Sequence, residues 1–132
     1  MRIAADTNVL LRAAVRDDPQ QAISAANVLR TANLVAVPVA ALCEFAWVMR
    51  TSYKSSALEV ARSIRSLVTS PNVVTNIPAV EAGLAVLDKG GDFADGAIAY
   101  EGRWLGGEEF VSFDKEAVSL LQSQGKRGRL LS

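Results

Sequence analysis

Short apolar segments alternate with stretches of helical spacing along the whole chain, and this alternation limits the possible fold more than any other feature. Arg2–Ala5, the valine-rich Leu34–Val37, Val73–Val74 and Phe110–Phe113 read as strands, each bounded by turn or cap residues. Between them the sequence predicts helices. One starts near Asn8, and one follows Asp17-Asp18-Pro19 with Ala22, Ala25, Ala26 and Leu29 in register. A third runs from about Val39 to Arg50 with Leu42, Phe45, Ala46 and Met49 as its apolar face. A fourth, capped at Ser55-Ser56, carries Leu58, Ala61, Ile64 and Val68, and a fifth opens at Pro78 with Val80, Leu84 and Leu87. Asp92 and Asp114 begin two more, with Gly90-Gly91 and Gly106-Gly107 as breaks, and Arg129–Leu131 adds a small edge strand. Strands this short, separated by helices, predict an α/β domain around a central, mostly parallel sheet of four to five strands flanked by helices. At 132 residues the chain suits one domain, spanning 1–132.

Composition narrows the chemistry. There is no histidine, which removes Ser-His-Asp and Cys-His catalysis, histidine-based acid–base nucleases and nearly all zinc enzymes. A single cysteine, Cys43, cannot make an internal disulfide and suits a reducing, cytoplasmic setting. The longest apolar stretch, Leu34–Cys43, is interrupted by Pro38 and stopped by Glu44, well short of the roughly 20 residues of a membrane span. No membrane association is expected. Fourteen acids balance fourteen bases, so a generally basic surface does not hold nucleic acid here. A bound divalent cation would supply positive charge locally instead.

The acids fall at informative places. In open α/β sheets ligands bind beyond the carboxyl ends of the strands, where Asp6 and Asp114 follow the first and fourth strands. Asp92 and Asp95 share the first turn of one helix. Glu44 interrupts the apolar run Ala40–Trp47, where a surface glutamate would be poorly placed. Taken singly, Asp6, Asp92 and Asp114 are ordinary helix N-caps, and Asp92 with Asp95 resembles a capping pair. Glu44 has no such explanation. Carboxylates gathered without cations would repel or take up protons, and Mg²⁺ or Mn²⁺ would relieve that strain with hard oxygen ligands.

Four segments in order resemble the PIN-domain ribonucleases, and most closely their VapC toxin branch. They are Asp6-Thr7-Asn8-Val9-Leu10-Leu11-Arg12, Glu44-Phe45-Ala46-Trp47-Val48-Met49, Asp92-Phe93-Ala94-Asp95-Gly96-Ala97-Ile98-Ala99 and Ser112-Phe113-Asp114-Lys115. The resemblance covers essentially the whole chain. It implies a three-layer α/β/α fold and Mg²⁺- or Mn²⁺-dependent hydrolysis of RNA phosphodiester bonds. Asp6 and Asp95 would then be the main metal ligands, with Glu44 and Asp114 binding metal or orienting the attacking water. Asp92 would be supporting, and Thr7, Asn8 and Ser112 would buttress the carboxylates. The expected reaction is in-line attack by an activated water, leaving a 5′-phosphate and a 3′-hydroxyl. The resemblance further implies a homodimer silenced by a VapB-like antitoxin. Gly96 stands where the family more often has alanine or another apolar residue, which predicts a looser first turn after Asp95, and Ala117 stands near a common aromatic.

Arg12, Arg50, Lys54, Arg103 and Lys115 lie near these segments and could meet phosphates, although solvated charge is the simpler role for any one of them. Trp47 and Trp104 could stack on bases, pack between helices or meet a second copy. Two other functions compete: an RNA-processing or purely binding PIN domain with no toxin role, and a receiver-like signalling domain. The second lacks the phospho-accepting Asp expected after a central strand, since the second strand ends in Pro38 and the third in Thr75-Asn76.

Overall fold

Strand β1 (Arg2–Ala4) is three residues long and strand β2 (Leu34–Ala36) no longer, so neither is stable without neighbours. The computed structural model describes residues 1–132 and divides into two compact units, Met1–Asn76 and Ile77–Ser132. In the first unit β2 is central: β1 pairs with it in parallel, Ile3 opposite Val35, and β3 (Val73–Val74) pairs on its other side, Val35 opposite Val73. Parallel neighbours need long crossovers. Helices α1 (Thr7–Val15) and α2 (Pro19–Thr31) provide the first, and α3 (Val39–Thr51) and α4 (Ala57–Val68) the second. Val35 is completely buried, as a central parallel strand requires.

Helix ends in this unit follow local chemistry. Asp18 caps α2 by accepting from the Gln21 N–H at 3.1 Å, with Pro19 at the first helical position. The Asn72 amide donates to the carbonyls of Leu29 (2.8 Å) and Ala32 (3.0 Å), tying the end of α2 to the approach to β3. Ser56 and Glu59 form a reciprocal capping box at the start of α4. Ser56→Ala should therefore lower stability by about 1 kcal/mol in a denaturant titration, whereas Ser55→Ala, which removes no cap, should change it by less than about half of that.

The predicted face of α3 is the observed one: Leu42, Phe45, Ala46 and Met49 are all buried. The face of α4 differs from expectation. Val60, Ala61 and Ile64 are buried, while Leu58 is 58% exposed. Each step of three residues lags a full turn by about 60°, so Leu58, two such steps before Ile64, turns away from the core.

In the second unit α5 (Ile77–Leu87) and α6 (Phe93–Trp104) pack at very short range. A Cβ at Gly83 would lie 2.6 Å from the ring of the fully buried Phe93, and one at Gly96 would lie 2.2 Å from the Ala82 carbonyl oxygen. The two glycines let the helices meet backbone to backbone. The expectation that Gly96 loosens its turn is thus corrected: Gly96 is buried and is where α6 touches α5. Strand β4 (Phe110–Ser112), helix α7 (Lys115–Ser123) and strand β5 (Gly128–Leu130) complete a β-α-β unit, with Val111 opposite Arg129 in parallel. Ala117, Val118 and Leu121 form the buried face of α7, and the Gln124 side chain donates to the Ala85 carbonyl at 3.0 Å.

The expectation is one central, mostly parallel sheet of four to five strands. Every observed pairing is parallel, as expected, but the pairing is divided between a three-stranded sheet in the first unit and a two-stranded one in the second. No helix is long and apolar enough to cross a membrane.

Candidate active site

Asp95 is the most perturbed acid in the chain. Its carboxyl is pushed up from 3.8 to about 6, first by burial and then by the negative charges of Asp92, Asp114 and Glu116. The three charged neighbours that raise it are all acids. The local sequence explains the gathering. Asp92 is the N-cap of α6, its carboxylate accepting from the Ala94 N–H at 3.1 Å, and Asp95 follows one turn later. Asp114 is the N-cap of α7, accepting from the Ala117 N–H at 3.1 Å, and Glu116 lies in the first turn of that helix. Both helix N-termini carry partial positive charge that favours carboxylates. The Ser112 hydroxyl accepts from the Asp114 N–H at 2.9 Å, which fixes the chain at the carboxyl end of β4. Ser112 thus holds the backbone of Asp114 and does not bond its carboxylate.

The capping and charge-clustering roles are therefore held by the same residues. Asp92 and Asp114 each bond a backbone N–H through Oδ1, which orients the carboxylate. Glu116 was not among the expected residues. An acid two positions after an N-cap looks like ordinary helix-dipole compensation, and only the proximity of α6 to that turn gives it a second meaning.

The first unit contains the other two expected acids. Asp6 caps α1 at the carboxyl end of β1, its Oδ1 accepting from the Thr7 N–H at 2.8 Å. Thr7 is the one buried polar residue, at 5% exposure, while Asn8 is exposed. The expected placement of Glu44 on an apolar face is corrected. Glu44 is exposed, on the face of α3 opposite Leu42, Phe45, Ala46 and Met49, together with Ala40 and Trp47. Alanine fits either face of a helix, so the run around Glu44 looked buried on all sides when only one side is.

Of the five expected acids, Asp92, Asp95 and Asp114 belong to the second unit and Asp6 and Glu44 to the first. In neither unit do three carboxylates converge closely enough to form a ready-made metal cage.

The structure also describes Arg12 and the two tryptophans. Arg12 pairs with Asp17 at 3.1 Å and donates to Gln21 at 2.6 Å, so it braces α1 against the start of α2. Neither tryptophan is core: Trp47 is 57% exposed and Trp104 76%, the latter donating through Nε1 to the Tyr100 hydroxyl at 2.6 Å.

Compared with known families and with curated proteins, the chain matches none.

Proposed function

We propose that the chain is a Mg²⁺- or Mn²⁺-dependent endoribonuclease of the PIN type, acting as the VapC-like toxin of a type II toxin–antitoxin pair. The observation that carries this reading is the elevated Asp95 carboxyl, raised by burial and by the charges of three other acids. Structural acids are normally placed to lower such pKa values by pairing, and perturbed carboxyls concentrate at functional sites. The donor set also fits the metal. With no histidine and only oxygen donors in the cluster, it suits a hard divalent cation and not zinc.

Asp95 and Asp114 would hold the metal, with Asp92 and Glu116 strengthening the local negative potential. When bound, the cation polarises a phosphoryl oxygen and makes a nearby water more acidic. The chain's own contribution is orientation. Asp92 and Asp114 are fixed by their capping bonds, Ser112 fixes the turn before α7, and Asp95 is ionised only above about pH 6. The motif resemblance adds Asp6 and Glu44 to the catalytic set. It also supports a homodimer, a VapB-like antitoxin partner and a cytoplasmic location.

The test is cleavage of a labelled single-stranded RNA with Mn²⁺. Cleavage should stop on addition of EDTA, and Mn²⁺ affinity by calorimetry should fall as the pH drops below about 6, where Asp95 takes up its proton. Cleavage that persists in EDTA would sink the proposal.

A further inference from the structure

The second unit has a polar feature of the opposite sign at the other end of α6. A pocket of about 220 Å³ is lined there by Arg103 near the end of α6 and by Lys126 and Arg127 on the turn entering β5. Ile98, Phe110 and Val111 supply an apolar wall. Two glutamates also border it. Glu109 is already neutralised by Arg129 at 2.9 Å, which leaves Glu108 against three cations, none of which is in an ion pair. The pocket is therefore net positive in a chain whose total charge is zero.

Its surroundings add a second property. Ile98 is 57% exposed and Val111 42%, so the apolar wall is open to solvent. Cations beside a partly open aromatic ring, here Phe110, are a combination that holds single-stranded nucleic acid, phosphate on the charges and base against the apolar wall. From Asp95 to Arg103 the helix advances about 12 Å. That separation places the pocket a few nucleotides from the acid cluster along an extended strand.

We propose that this pocket is an accessory RNA site, holding a backbone phosphate and its neighbouring base at a distance from the bond that is cut. The inference rests on the nuclease reading above and deepens it, by dividing the molecule's work between an acidic cutting end and a basic holding end of one helix. It also explains how a neutral protein could retain an RNA without a generally basic surface.

The experiment compares the wild-type chain with an Arg103→Glu/Lys126→Glu/Arg127→Glu variant, using Mn²⁺ and two RNAs, one of about twenty nucleotides and one of only about two, too short to reach from the acid cluster to the pocket. All three side chains are exposed, so charge reversal should leave the core intact. Gly102→Leu is a second variant that fills the pocket without touching a charge. No atom lies within 4 Å of where its Cβ would stand, so the helix accepts it. For the long RNA both variants should raise KM about tenfold with kcat unchanged, and the short RNA should be unaffected. The charge-reversal variant should also lower the salt dependence of long-RNA binding, by about 0.7 in the log–log slope for each phosphate that is no longer neutralised.

An unchanged KM and salt slope, with the wild type cleaving normally, would overturn the accessory site alone. Equal losses on both RNAs would assign the pocket to a free nucleotide or phosphate and overturn it too. If the wild type binds long RNA without cutting it, and the variants bind it less well by fluorescence anisotropy, the accessory site stands and the nuclease reading falls. Neither cutting nor binding would overturn both.

Discussion

Replacing Asp95 with asparagine should abolish RNA cleavage and make the protein more stable at neutral pH. On the proposed reading the loss of activity should be at least about a hundredfold, since a charged ligand to the cation would be replaced by a neutral one. The gain in stability follows from linkage. Asp95 has a carboxyl raised in the folded state from 3.8 to about 6, so the native chain binds that proton more tightly than the unfolded chain does. Below pH 3.8 both states are protonated and the group has no effect. Between 3.8 and about 6 the folded state is progressively penalised, and above 6 the penalty is complete. The substituted amide carries no charge at any pH and escapes this. The melting temperature of Asp95→Asn should therefore exceed wild type by about 2–5 °C at pH 7, a modest figure because water reaches part of the carboxylate. The difference should close near pH 4. Mn²⁺ should raise the wild-type melting temperature at pH 7 and leave that of the variant unchanged. A variant less stable than wild type at pH 7 would show that the four acids do not repel as described.

Gly96→Ala should be the most damaging single methyl group that can be added to this chain. Its Cβ would fall 2.2 Å from the Ala82 carbonyl oxygen, 2.8 Å from the Ala82 carbonyl carbon and 2.9 Å from the Cα of Gly83. All three are backbone atoms, so no side chain can swing aside. The helices must separate, and the packing of Phe93 and Ala97 separates with them. Overpacking usually costs about 1–3 kcal/mol, and a backbone clash belongs at or beyond the upper end of that range. Gly102 in the same helix is the control, because a Cβ there meets nothing. Gly102→Ala should stabilise the chain by about 0.5–1 kcal/mol through helix propensity alone. Denaturant titrations of the two variants would decide the matter. Equal stabilities would mean that α5 and α6 do not meet backbone to backbone.

Local structure was largely legible in the sequence because its causes are local. Asp18-Pro19 is a helix start after a turn, Ser55-Ser56 marks a cap, and Leu42, Phe45, Ala46 and Met49 can form only one stripe. The misreadings have a common origin in tertiary placement. Which short strands pair depends on where the crossovers deliver them, so the division into three strands and two was not visible in strand composition. Gly96 reads as a weak helix former until the Ala82 carbonyl appears beside it. Glu44 was judged by its neighbours in sequence, although its neighbours on the helix surface are Ala40 and Trp47. Among the candidate acids, Asp92, Asp95 and Asp114 were found from their positions at helix starts and strand ends. Glu116 was missed because its interest comes from a helix some twenty residues away in the chain.

The double role of Asp92 and Asp114 has an evolutionary consequence. Asparagine caps a helix about as well as aspartate and has the same shape. The codons for the two differ by a single base. One transition at either position would thus neutralise a carboxylate of the proposed site while leaving the helix start, and the fold built on it, intact. If the proposed reading holds, a lineage could weaken or lose the activity at these positions without passing through an unfolded intermediate. Inert copies of such a chain would be expected to persist by the same route, and spontaneous deamination of the asparagine would chemically restore the acid in a fraction of molecules.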